Sequence, residues 1–210
     1  MANFEQIKEA TMAGNQKKVE ELTHAAITAG ADADQIIQDG FIPAMGIIGD
    51  KFGRGEIYIP EMLIAARAMK TGMEFLKPYM VGKKEHTIAK AVIGTVKGDL
   101  HDIGKNLVSI MLEGAGFEVI DMGIDVSVSK FVDAVKQHQP QFLALSALLT
   151  TTMEQMKLVV DALEEAGLRP GLSVFVGGAP INQGFADEIG ADGYGANAGQ
   201  AVDAMKAMLE

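Results

Sequence analysis

Gly98-Asp99-Leu100-His101-Asp102-Ile103-Gly104-Lys105-Asn106 holds the densest chemistry in this chain. It follows an apolar run, Ala91 to Val96, and precedes a helical pattern, so His101 falls on a loop at the end of an expected strand. Imidazole titrates near neutrality and ligates metals through either ring nitrogen. Asp99, two residues away, can accept a hydrogen bond from the nitrogen that does not ligate, which fixes the tautomer and raises ligand basicity. The spacing points to an oriented metal ligand at a strand end, where open α/β sheets bind their ligands. His24, His86 and His138 lack such a setting and read as surface or packing residues. Lys105 and Asn106 read as solvated helix residues, and Asp102 as an acid at a helix N-terminus.

Two other chemistries compete for this segment. Gly98…Gly104-Lys105 is similar to a nucleotide-binding P-loop, but five residues separate the glycines instead of four. Asn106 also stands where a Ser or Thr would bind Mg²⁺. Asp99-x-His101 after a strand is also similar to the opening of a metallophosphatase signature. That site needs more metal-binding histidines downstream, and only His138 follows, within a helical pattern. A metal-dependent phosphatase or hydrolase is kept as the alternative.

Composition narrows the rest. The chain has 210 residues, 48% of them hydrophobic, enough for one large domain or two small ones. It has no run of 18 apolar residues and no basic-then-apolar leader at its start, so neither membrane nor export is expected and a cytoplasmic location is. Cysteine is absent, which removes disulfides, thiolate metal sites and cysteine nucleophiles. The net charge of −10, the lack of tryptophan and the 6% aromatic content argue against a nucleic-acid partner. Thirteen methionines read mainly as helix-core filler.

The elements that must position His101 divide into two grammars. Residues 1–84 read as a bundle of about four helices. Gly14 ends the first, and Gly30 stops a second carrying Val19, Leu22 and Ala26. Asp32 or Asp34 caps a third with Ile36, Ile37, Ile42, Met45 and Ile48, which Pro43 kinks or breaks. Lys51 to Tyr58 reads as a loop, and Pro60 opens a fourth with Met62, Leu63, Ala66, Met69, Met73 and Leu76. Val81 to His86 is the expected linker. Over 88–210, apolar runs at 91–96, 117–122, 142–146, 173–176 and 193–194 alternate with helical patterns at about 103–115, 128–138, 152–167, 181–189 and 198–209. Five βα units predict an α/β fold, a doubly wound five-stranded parallel sheet covered on both faces.

The remaining strand-end loops fit together with the first. The second strand is followed by Gly123, Asp125 and Val126, and the third by Ser146-Ala147-Leu148-Leu149-Thr150-Thr151-Thr152. The fourth is followed by Gly177-Gly178-Ala179-Pro180, and the fifth by Tyr194-Gly195-Ala196-Asn197. Asp-x-His-x-x-Gly, Ser-x-Leu and Gly-Gly, in that order at successive strand ends, resemble the cobalamin-binding domain of corrinoid-dependent methyltransferases. Tyr58-Ile59-Pro60-Glu61-Met62-Leu63-Ile64-Ala65-Ala66 resembles the methionine-rich helical cap of the same family. The resemblance covers nearly the whole chain. It is closest to the small corrinoid proteins of methylamine, methanol, betaine and methoxyaromatic methyl transfer, and extends to the matching modules of cobalamin-dependent methionine synthase.

That resemblance implies a flavodoxin-like cobalamin-binding domain over 88–210 behind a helical cap over 1–84. It implies that His101 replaces the dimethylbenzimidazole base below cobalt, leaving the cobalamin base-off. Asp99 would bond the other ring nitrogen, and Thr152, six residues past Ser146, would complete the relay. Asp102, Ile103 and Leu148 would neighbour the cofactor. Ser146 and Thr150 would meet its displaced nucleotide tail, Gly104, Gly177 and Gly178 would leave room for that tail, and Tyr194, Gly195 and Asn197 would line the far end. It implies a methyl carrier cycling between Co(I) and methyl-Co(III), with protonation of the His101–Asp99 pair accompanying loss of the axial bond in Co(I). Its partners would be a substrate-specific methyltransferase, an acceptor methyltransferase using tetrahydrofolate or a thiol, and a reductive activator. A cobalamin-responsive sensor is the non-enzymatic rival, but the helical half carries no basic recognition helix.

Overall fold

The computed structural model describes residues 3–79 and 87–209. It divides into two compact units, one spanning Met1–Thr87 with Gly114–Gly116, the other Ile88–Glu113 with Phe117–Glu210. The linker expected at Val81 to His86 lies outside the described residues. Among those residues, no helix is long and apolar enough to cross a membrane.

The first unit is helical. Helices α1 (Phe4–Met12) and α2 (Gln16–Thr28) are each started by an asparagine, Asn3 or Asn15, whose side chain accepts from the first-turn amide of Gln6 or Lys18. Asp32 caps α3 (Ala33–Ile36), which runs through a π-helical turn, Ile37–Phe41, into α4 (Ile42–Gly53). Pro43 neither breaks this rod nor ends it. A proline ring crowds the carbonyl four residues back. The π turn, in which the Ile42 amide reaches five residues back to Ile37, lies immediately before it. The loop expected at Lys51 to Tyr58 is shorter than the charges suggested. Lys51 suits a helix C-terminus, so α4 continues until Gly53, and Gly55 then turns the chain in the left-handed region. Helix α5 (Ile59–Leu76) follows, with Pro60 in its first turn. Ile7, Val19, Ile36, Phe41, Met62 and Leu76 are fully buried and form this unit's core.

The second unit is the expected parallel sheet. Strands β1 (Lys90–Thr95), β2 (Glu118–Asp121), β3 (Phe142–Ser146), β4 (Ser173–Gly177) and β5 (Gly193–Gly195) lie in the order β2-β1-β3-β4-β5. This is the flavodoxin-like winding, and its direction reverses between β1 and β3. Helices α6 (Ile103–Gly114), α7 (Val128–His138), α8 (Glu154–Glu165), α9 (Gln183–Ile189) and α10 (Ala198–Ala207) form the crossovers and the C-terminal end. Phe131 of α7, Val159 and Leu163 of α8 and Ile189 of α9 bury one sheet face with Val92, Val96, Leu143, Leu145, Val174 and Val176. The right-handed crossover from β1 to β2 places α6 on the other face, where Ala201 of α10 also packs against Gly195 of β5. Several ends differ by a residue or two from the hydropathy pattern. Val96, for instance, forms a lone bridge to Val126 beyond β1, and α9 starts after Asn182, whose side chain accepts from Phe185.

Candidate functional site

The winding reversal puts the β1 loop beside the β3 loop, and Asp99 joins them. Its carboxylate is fully buried and accepts five hydrogen bonds. Oδ1 takes the His101 backbone N–H at 3.1 Å and lies 2.7 Å from His101 Nδ1. Oδ2 takes the Leu148 N–H at 2.7 Å, the Leu149 N–H at 3.2 Å and the Thr152 hydroxyl at 2.7 Å. Burial alone would push the Asp99 carboxyl up. The bonds from Thr152, Leu148 and His101 outweigh burial and hold it well below the usual carboxylate range. With Asp99 ionised, Nδ1 is the donor and Nε2 is left without a partner among the described residues. The His101 side chain is 50% exposed. The Thr152 oxygen also lies 2.9 Å from the Leu149 carbonyl, and its single proton goes to the stronger, charged acceptor.

Two further contacts hold the His101 loop. The buried Thr95 hydroxyl donates to the His101 carbonyl at 2.9 Å. Asp125, itself in a left-handed conformation, accepts from the Gly98 N–H at 2.7 Å and donates its own N–H to the Asp99 carbonyl at 3.1 Å. Gly98 has φ +81°, a turn that suits glycine. Thr95 was invisible to motif reading because its partner is a backbone carbonyl. Lys105 corrects a sequence reading. It is buried rather than solvated, pairing with Asp121 at 2.5 Å and with the Asn106 side-chain carbonyl at 2.6 Å, so the end of β2 grips the start of α6. Asn106 in turn donates to Asp102 at 3.1 Å.

Beside this relay, the sheet face opposite the main core is graded in bulk. At the strand tips, Thr95, Ser146, Gly177 and Gly195 pair across four strands in one row. The next row is Ile93, Ala144, Phe175 and Gly193. Phe117, Phe142 and Phe175 pack edge to face at 5.8 and 6.0 Å along its deeper part, and a Cβ on Gly193 would run into the Phe175 ring. A Cβ on Gly104 would meet nothing within 4 Å, so space stands open there. Gly178 has a different reason to be glycine. It has φ +137°, and a Cβ would run into the Ala147 backbone. Gly195 similarly lets Ala201 of α10 approach β5.

The other expected site residues scatter around this face. Leu100 and Ile103 are 67% and 72% exposed, and Leu148 is 40% exposed. These are large apolar side chains left open beside His101. Thr150 is exposed in the turn after β3, and Asn197 caps α10 by accepting from Gln200 at 2.9 Å. Tyr194, expected at the far end of the slot, is not brought to this face. Strand alternation turns it the other way, and it packs against the core formed with α7, α8 and α9. Among the described residues, no group of three or more His, Cys, Asp or Glu is placed to hold a metal ion, so the hydrolase alternative lacks its cluster.

Comparison with known proteins gives a consistent answer. A B12 binding domain family matches residues 89–203, and a second family, also described as a B12 binding domain, matches residues 4–77. A trimethylamine corrinoid protein of Methanosarcina barkeri is 44% identical over 100% of this chain and 99% of its own length. The methanol:cobalamin methyltransferase complex MtaBC from Methanosarcina barkeri contains a chain that superposes with a TM-score of 0.90 at 34% identity, covering 98% of this chain and 79% of that one. A cobalamin-binding protein from Desulfitobacterium hafniense superposes with a TM-score of 0.80 at 34% identity, covering 99% and 98%.

Proposed function

Because the chain belongs to the B12-binding corrinoid proteins, we propose that it holds a corrinoid on its α/β unit, with His101 as the lower axial cobalt ligand, and carries methyl groups between partner methyltransferases. When bound, the cobalt supplies a strong nucleophile that accepts a methyl group and yields it to a second acceptor. One observation carries the reading. A buried, ionised Asp99 occupies Nδ1 of a half-exposed histidine at the sheet's switch point and leaves Nε2 free. The residues fit the group: Gly104 faces open space, the strand-tip row is small, and apolar Leu100, Ile103 and Leu148 stand exposed nearby.

In this reading each residue has a definite task. Asp99 sets the tautomer and raises the basicity of His101, and Thr152 with the Leu148 and Leu149 amides keeps Asp99 ionised. Ser146 offers a hydroxyl to the nucleotide tail, and Gly104 and Gly177 leave it space. The His101 ring, bonded to Asp99, would hold a proton whenever Nε2 is not bound to cobalt. The helical unit, residues 1–84, would be a separate domain before the corrinoid-binding one at 88–210.

One partner is a substrate-specific methyltransferase. The 44% identity to the trimethylamine protein over the whole chain supports a methylated amine as donor. An acceptor methyltransferase and a reductive activator complete the cycle, so the purified chain alone turns nothing over.

The test is to incubate the protein with hydroxocobalamin, desalt it, and measure cobalt and the absorption spectrum, then the electron paramagnetic resonance of the Co(II) form. Stoichiometric cobalt is expected, with a nitrogen splitting that changes when the histidines are labelled with 15N, because the cofactor's own base stays unlabelled, and that His101→Ala makes insensitive to the label. A folded protein that retains no cobalt would sink the carrier reading, and a splitting unchanged by the label in the wild type would sink the ligand assignment. Mixing the loaded protein with trimethylamine or methanol methyltransferases then reads the donor.

A further inference from the structure

We infer that Thr95 is a positioning residue for His101, fixing the direction of its imidazole from the rigid end of β1; the inference rests on the ligand reading above. Thr95 is the last residue of its strand, fully buried, and paired in register with Ser146. A valine would satisfy strand and packing preferences there equally well. What the threonine adds is a hydroxyl, and that hydroxyl donates to the carbonyl of His101, six residues on. Most buried hydroxyls are hydrogen-bonded, and the partner of this one is the peptide that orients the ligand.

The other anchors on His101 both come from Asp99, one to its N–H and one to its ring. Beyond His101, the Asp102 carbonyl accepts the Asn106 N–H at 2.7 Å and its side chain accepts from Asn106 at 3.1 Å, which ties that side of the loop to α6. Thr95 is the contact that ties the peptide following His101 to the sheet. The backbone of His101 is thereby held to Asp99 before its Cα and to β1 after it. Asp125 holds the first half of the same loop through Gly98 and Asp99.

The test uses Thr95→Val and Thr95→Ser in the full chain. Each is made with 15N-labelled histidine, loaded with hydroxocobalamin and reduced to Co(II), and the ratio of signal with the 15N splitting to signal without it is measured. Losing one neutral hydrogen bond should lower that ratio by about five-fold in Thr95→Val, while Thr95→Ser keeps the wild-type ratio. A second readout needs no cofactor: in the labelled apoprotein, the His101 carbonyl carbon shift should move in Thr95→Val and stay in Thr95→Ser. Thr95→Ala replaces the valine variant should that one fail to fold. A Thr95→Val protein with the wild-type ratio and carbonyl shift overturns the role of Thr95 and leaves His101 as ligand. A Thr95→Ser protein as impaired as Thr95→Val overturns it too, because the methyl group would then be responsible. A wild-type signal without the 15N splitting overturns the ligand reading, and this inference with it.

Discussion

At the scale of residues, Asp99 combines a stability role with its role toward His101. Its folded-state pKa lies below the ordinary carboxylate value. The stability from its five hydrogen bonds is therefore fully present above the unfolded pKa, about 4, and is lost as pH falls below it toward the folded value. Asp99→Asn offers one acceptor where five donors converge, so apoprotein stability should fall by roughly 1–3 kcal/mol at neutral pH. Urea unfolding should show the gap between wild type and Asp99→Asn narrowing below about pH 4; a gap independent of pH would refute the linkage. The Asp99, His101 and Thr152 positions were legible because each lies at a fixed offset within a motif, and the structure brings the three together. Lys105 was not. A lysine one helical step from an asparagine looks solvated until the fold brings Asp121, 16 residues on, against it.

Among elements, the glycines of the strand-end loops divide by physical cause. Gly178 is required by its conformation and by the Ala147 backbone, whereas Gly104 sits in the first turn of α6 facing open space. Gly178→Ala should therefore destabilise the apoprotein by about 2 kcal/mol or more. Gly104→Ala should leave it as stable or raise it by up to about 1 kcal/mol, yet weaken retention of cobalamin on desalting. Thermal melts and cobalt content separate the two; equal loss of stability in both would show that Gly104 is structural as well. Sequence alone showed both as glycines in ligand-end loops, because chain order does not report what a Cβ would meet. The order of helices and strands was legible from pattern, since short apolar runs and 3.6-residue repeats alternate cleanly after residue 88. Element ends were less so, being set by side-chain caps such as Asn182 and by the π turn that accommodates Pro43. Tyr194 shows the same limit, since its face depends on where the short β5 starts.

For the whole molecule, the family was legible because three motifs keep their order at successive strand ends, which one motif alone could not have established. The donor was not, because the motifs in the chain point to the cofactor and none of them to a methyl donor. One property does belong to this chain alone. The sheet face beside His101 runs from small residues at the strand tips to the Phe117–Phe142–Phe175 ladder below. If the nucleotide tail lies along this face as proposed, the aromatic ladder would block its far end and the tail would leave by the way it entered. Loaded protein mixed with excess cobalamin-free chain carrying a distinguishable tag should therefore transfer its cobalt far more slowly than a methyl-transfer cycle takes, and rapid equilibration between the two chains would argue against a closed base. A base blocked at one end would make escape rare, so the carrier would pass through many encounters with its partners as one lasting package, giving up only the methyl group at each visit.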